Sequence, residues 1–326
     1  MVWLRTLGTI AAIAQVLFFL PEAKATPPQG AATENNARVT QQSDRRTARI
    51  SAVSGLRHPA AYDRRKGIIL FEAKVNGRSI VALLDNQTAR SLIAADLVAE
   101  LKLPVEPSKT IVGTLNGKEP AWGVVSGITF EITGQLQIMA PFTVYDLAAM
   151  SRIVGHPIGL VLGGEYFAAL GFAIDPQAGT FTVGPGGTRR PGAAYQALPL
   201  LNDRSQVAVE IGGKQYVLTV DLGFNGGIAL KAEDLDAAAS TLREERRTTA
   251  DIAGRPRSVR QRRSAIRIGD VDMLDVPISD GSTREVDGDG LLGMAVLAQS
   301  PFVLDVKAHT LWLGRVAMRV GPISPQ

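Results

Sequence analysis

The chain has 326 residues, 45% hydrophobic and 20% charged, with 33 glycines, 18 prolines and a net charge of +4. Those proportions describe a soluble globular protein with room for one large domain or two small ones, and exclude a disordered or fibrous chain. Cysteine is absent, which removes disulfides, thiol nucleophiles, iron–sulfur clusters and thiolate zinc sites.

Residues 1–25 read as a signal peptide. Arg5 gives the positive start, Leu7 to Leu20 is an apolar core short of a comfortable membrane span, and Ala23-Lys24-Ala25 fits a small-x-small cleavage site. The expected location is therefore periplasmic or secreted, with an uncleaved N-terminal anchor as the minor alternative. Residues 26–65 are polar, rich in Ala, Gln, Asn and Arg, and show no sustained period. They are expected to form a flexible tether.

A repeat follows. At a shift of 136 residues, Val75-Asn-Gly-Arg-Ser-Ile-Val-Ala-Leu-Leu-Asp85 lies over Ile211-Gly-Gly-Lys-Gln-Tyr-Val-Leu-Thr-Val-Asp221. Each reads as a strand, a tight turn (Asn76-Gly77 or Gly212-Gly213) and a second strand ending in Asp. A polar loop, an apolar pair (Leu92-Ile93 or Ile228-Ala229) and a short helical segment come next. Each copy then has a Gly-bearing polar hairpin, with Asn116 and Gly117 at the first and Ala253 and Gly254 at the second. At a shift of 130, Leu160–Phe167 ("LVLGGEYF") falls over Gly290–Leu297 ("GLLGMAVL"), and Asp175–Gly184 over Asp305–Gly314. Four matches in one order define a duplicated unit of about 120 residues, a usual domain size. The expected organisation is a first lobe over 66–184, a linker over 185–195, a second lobe over 196–316 and a tail over 317–326. Many short strands with frequent turns and little helix predict an all-β pair.

An ionised Asp85 at the end of a buried strand is costly unless something pairs with it. Taken singly, a strand-end Asp commonly caps a turn. The order of segments, however, resembles the lobe of the retropepsin-like aspartic peptidases, present twice across roughly residues 65–316. The resemblance implies two β-barrel lobes with short helices, facing each other across a cleft, each contributing one catalytic Asp. On this reading Asp221 is the partner of Asp85. Two carboxyls about 3 Å apart cannot both ionise, a split for which aspartic peptidases are themselves the type case. One then serves as general base on a water and the other as general acid. The implied activity is that of an exported aspartic endopeptidase acting on an extended peptide or protein, with no cofactor and no metal. A tandem chain builds its own pair, so a monomer suffices. Asn116, Gly117, Ala253 and Gly254 would belong to flaps closing over the substrate strand.

The family loop reads Asp, then Thr or Ser, then Gly. Here the loops read Asp85-Asn86-Gln87 and Asp221-Leu222-Gly223. Glycine permits close backbone approach, and the hydroxyl normally bonds across to the other loop. Asn86 can replace part of that bond; Leu222 cannot. A second function therefore stays open, that of a catalytically degenerate retropepsin-like protein that binds peptides or acts as an adaptor.

The basic run Arg243 to Arg267 reads as a solvated flap surface, or else as a contact for an acidic substrate or an anionic membrane surface. Aromatics are not interleaved with it, which argues against nucleic acid. His58, His156 and His309 lack ligand spacing, and Ser91 has no Gly-x-Ser-x-Gly setting. Gly163-Gly164 and Gly290–Gly293 read as tight packing at the back of each lobe, and Trp122 and Trp312 as core or flap packing.

Overall fold

The computed structural model describes residues 49–52, 58–114, 117–201, 205–238, 244–250, 253, 255–281 and 288–315. The segments read as signal peptide and tail, most of the tether, and the flap-tip residues Asn116 and Gly254 lie outside them.

Each copy begins with the hairpin its sequence calls for. Leu70–Val75 pairs antiparallel with Arg78–Leu84, and Gln206–Ile211 with Lys214–Val220. Both central turn residues have positive φ, 49° and 83° at Asn76 and Gly77, 59° and 81° at Gly212 and Gly213. That is the turn whose twist matches the flanking strands. The strand after the Asp loop, Leu92–Ala94 or Ile228–Leu230, lies antiparallel to Ile158–Leu162 or Gly290–Leu292. Those in turn run parallel to the strand that ends in Asp. A long hairpin, Gly123–Ile132 with Leu136–Tyr145 or Pro256–Ile268 with Val271–Ser279, packs back on the opening strand. The result is two closed six-stranded barrels, whose buried apolar side chains belong to one continuous core. Short helices Ala95–Glu100 and Ala232–Ala238 follow the equivalent strands in the two copies.

A third layer joins the barrels. Ala60–Asp63, Thr180–Pro185, Leu170–Asp175, Phe302–Asp305, Thr310–Gly314 and Tyr195–Pro199 form six neighbouring strands of one sheet. At its centre Phe172 pairs with Leu304, Ala173 with Val303 and Ile174 with Phe302. Residues 172 and 302, and 174 and 304, are repeat equivalents at the shift of 130, so a pseudo-twofold axis passes between Ala173 and Val303. The outer strands obey the same symmetry. Thr180 and Phe181 pair with Ala61 and Ala60, while Thr310 and Leu311 pair with Pro199 and Leu198. Phe71 meets Phe181 edge-on and Phe167 stacks on Phe172, fixing this sheet against the first barrel.

Two expectations change. Residues 26–65 are not tether throughout: Ala60–Asp63 is the outer strand of the joining sheet, and Arg49–Ala52 pairs along Leu136–Tyr145. Both are four residues long, too short to show a period. The first copy thus starts near residue 60, matching Tyr195–Pro199 in the second. Trp122 is 64% exposed rather than core, while Trp312 is buried at 8%.

Candidate active site

Asp85 and Asp221 follow directly on the strands Arg78–Leu84 and Lys214–Val220. Both are buried, at 1% and 0% exposure. Their main-chain N–H groups donate to Leu162 and Leu292, which ties each loop to the adjoining central strand. In the first loop the N–H groups of Gln87 and Thr88 donate to Asp85 Oδ1 at 2.9 and 3.2 Å. In the second, those of Gly223 and Phe224 donate to Asp221 Oδ1 at 2.9 and 3.1 Å. The two loops are therefore built alike, residue for residue.

They also meet. A Cβ placed on Gly223 would stand 2.7 Å from Asp85 Cγ and 2.8 and 3.0 Å from its carboxyl oxygens. Only glycine leaves room for the first carboxyl beside the second loop, which is the close approach expected of it. The cross-loop bonds come from one side. Asn86 Oδ1 accepts the Leu222 N–H at 2.8 Å, and Asn86 Nδ2 donates to the Val220 carbonyl at 2.8 Å. Gln87 Nε2 donates to the same carbonyl at 2.7 Å. The two residues that depart from the family loop are thus the ones that tie the lobes together, and the glycine missing from position 87 has become a second anchor. Leu222 supplies no reciprocal polar bond and is fully buried in the core instead.

Both carboxyls are raised, each against its own set of donors. Burial raises both carboxyls above the ordinary range. At Asp85 this is opposed by three donors, foremost the Thr88 hydroxyl at 2.7 Å from Oδ2. At Asp221 the negative charge of Asp85 adds to burial, against the N–H groups of Gly223 and Phe224, and Asp221 stands well above its usual value. Phe224 occupies the place of Thr88 in the second loop and has no hydroxyl.

Beneath the loops, glycines allow the chain to close up. A Cβ on Gly164 would lie 2.6 Å from the Asn86 carbonyl, and one on Gly293 2.4 Å from that of Gly226. Gly163-Gly164 and Gly290–Gly293 are tight packing as expected, placed directly under the Asp loops rather than at the back of the lobes. Ser91 binds the Gly163 N–H through its hydroxyl and is structural. Thr88 and Glu165 were not singled out by sequence. Thr88 was visible as a hydroxyl three residues past Asp85, while the role of Glu165 depends on how its segment packs against Ser91.

Of the residues expected at flaps, Gly117 opens the strand Gly117–Pro120, paired with Ile111–Thr114, and Ala253 sits at the turn between Glu245–Ala250 and Pro256–Ile268. Glu119 of the first hairpin forms an ion pair with Arg255 of the second and accepts the Tyr145 hydroxyl. The basic strand is largely answered by acids: Arg260 by Asp280 and Asp236, Arg262 by Glu244 and Asp236, Arg263 by Asp275, and Arg267 by Asp272. Among the described residues no group of three or more His, Asp or Glu side chains is placed to hold a metal ion.

Barrels of this kind, each presenting an Asp loop to the other, define an acid-protease fold. Residues 71–166, which contain Asp85 and its supporting strands, match the family model described as aspartyl protease. The first lobe is an aspartyl protease domain of the retropepsin-like type. No curated protein matches the chain.

Proposed function

We propose that the protein is an aspartic endopeptidase in which Asp85 and Asp221 act as one pair, and that it works outside the cytoplasm after removal of residues 1–25. The observation that carries this reading is the fit of the Asp85 carboxyl against Gly223, with Asn86 pinning the two loops together. A water held between the carboxyls loses a proton to Asp85 as its oxygen attacks the peptide carbonyl. Asp221 gives its proton to the carbonyl oxygen, forming a neutral tetrahedral diol. As the diol collapses, Asp85 gives its proton to the leaving nitrogen and Asp221 takes one from a diol hydroxyl, so the C–N bond breaks and both carboxyls return to their starting state. The hairpins around Glu119 and Arg255 would hold an extended substrate strand and exclude bulk water.

The test is cleavage of a peptide library by purified protein from pH 3 to pH 8, with Asp85→Asn and Asp221→Asn alongside. Cleavage by wild type that either substitution abolishes supports the pair. Tight peptide binding without cleavage at any pH favours the second reading, a peptide-binding module, for which the one-sided cross-loop bonding is the supporting observation.

A further inference from the structure

The first Asp loop is held from below by a junction that the second loop has in simpler form. In the first copy the Gly164 N–H donates to the Thr88 carbonyl at 2.6 Å, the Gly163 N–H to Ser91 Oγ at 2.7 Å, and the Ser91 N–H to Glu165 Oε1 at 2.6 Å. In the second, the Met294 N–H donates to the Phe224 carbonyl and the Gly293 N–H to the Gly227 carbonyl, both at 2.7 Å. The place of Glu165 is taken there by Ala295. Main chain alone therefore suffices to build the junction, and a carboxyl is no requirement of the fold. Yet Glu165 is inserted beside the loop that carries Asp85. Its Oε2 is shut off from solvent with no hydrogen-bond partner among the described residues, and it lies where a Cβ on Gly163 would come within 2.6 Å.

We propose that Glu165 is a positioning residue whose protonated carboxyl clamps the far end of the Asp85 loop, and whose ionisation releases it. A neutral carboxyl still accepts the Ser91 N–H through Oε1. An anion leaves charge on an oxygen closed to solvent and without a donor among the described residues, a state that favours withdrawal of the side chain. Burial pushes this carboxyl up to about 7, against the Ser91 N–H and hydroxyl, its own N–H and the charge of Arg90, which favour the anion. The remaining group facing it is the Tyr166 phenol, itself raised chiefly by burial and then by Glu165. Withdrawal would free Ser91, three residues beyond the Thr88 hydroxyl that holds Asp85 Oδ2. The Asp85 loop would then be fixed on the acid side of neutrality and loosened above it, independently of the titration of the pair.

The experiment has one arm that needs no activity and no variant. Exchange of the Ser91 amide, corrected for its intrinsic pH dependence, should lose protection by about tenfold or more between pH 5.5 and pH 8 in wild type. Glu165→Gln should keep that protection at both. The kinetic arm rests on the peptidase reading. There Glu165→Gln should move the alkaline limb of kcat/KM upward while leaving kcat at pH 5 within about threefold, since the amide keeps the acceptor. Ser91 protection that is constant with pH in wild type overturns the proposal, as does an unshifted alkaline limb in an active Glu165→Gln enzyme. If Ser91 switches but no peptide is cleaved at any pH, the clamp stands and the peptidase reading falls.

Discussion

Gly223 and Asn86 make opposite demands on the same contact, one by having no side chain and the other by having the right one. Gly223→Ala puts a methyl 2.7 Å from Asp85 Cγ. The carboxyl must shift, and a displacement approaching 1 Å costs about 100-fold in rate, alongside roughly 1–3 kcal/mol of overpacking. Steady-state kinetics and thermal unfolding measure the two effects; an active, fully stable G223A would show that the loops are not held so close. Asn86→Ala removes both cross-lobe bonds and orphans the buried Leu222 N–H, a loss of about 2–4 kcal/mol. Thr88→Val acts more narrowly. Its hydroxyl favours ionised Asp85, so its removal raises the pKa of Asp85. The acid limb of the pH–rate profile should move toward neutral, with the alkaline limb in place. An alkaline limb that moves while the acid limb stays in place would mean that Asp85 is the protonated partner.

At the scale of elements, the hairpins are where sequence and structure agree best. Asn76-Gly77 and Gly212-Gly213 dictate their turns through positive φ, and the alternation of the opening strands Leu70–Val75 and Gln206–Ile211 fixes register. The Asp loops were equally legible, because a carboxylate ending an apolar strand twice at one spacing is rare enough to stand out. What was not legible depends on long-range contact. Ala60–Asp63 is four residues with no periodic pattern, and it is a strand because Thr180–Pro185 offers an open edge. Gln87 looked like a defect until its amide was seen on the Val220 carbonyl, 133 residues away. The Glu119–Arg255 pair belongs to this class too, since two flap-like hairpins say nothing in sequence about touching each other. Both partners are 36% exposed, so Glu119→Gln should change stability by less than about 1 kcal/mol. If the pair latches the hairpins, wild type should take up peptide faster as salt rises, and that variant should take it up faster at low salt and without the salt dependence. Equal salt dependence in stopped-flow binding would reduce the pair to a surface contact.

Across the whole molecule, the joining sheet, the cross-lobe bonds of Asn86 and Gln87 and the buried carboxyls make one folding unit in which stability and chemistry pull against each other. Asp85, Asp221 and Glu165 all have folded-state pKa values raised above their ordinary ones. The folded protein therefore holds protons that the unfolded chain releases, and the stability they contribute is full below about pH 4 and falls as pH rises from there. Asp63 runs the other way. Arg65 holds it down to about 2, so its smaller, solvent-screened contribution is lost only as pH falls from about 4 toward 2. Thermal stability should consequently peak near about pH 4–5 and decline toward pH 8. The decline has a separable part. Asp221→Asn replaces a carboxyl whose pKa is raised by burial and by the charge of Asp85 with a neutral group of the same shape, so the variant should match wild type near pH 4.5 and become progressively more stable than it toward pH 7.5. Calorimetry of the two proteins across that range decides the matter. A gap that stays constant with pH would mean that Asp221 ionises in the folded protein as readily as in the unfolded chain, and that the two carboxyls do not share a proton.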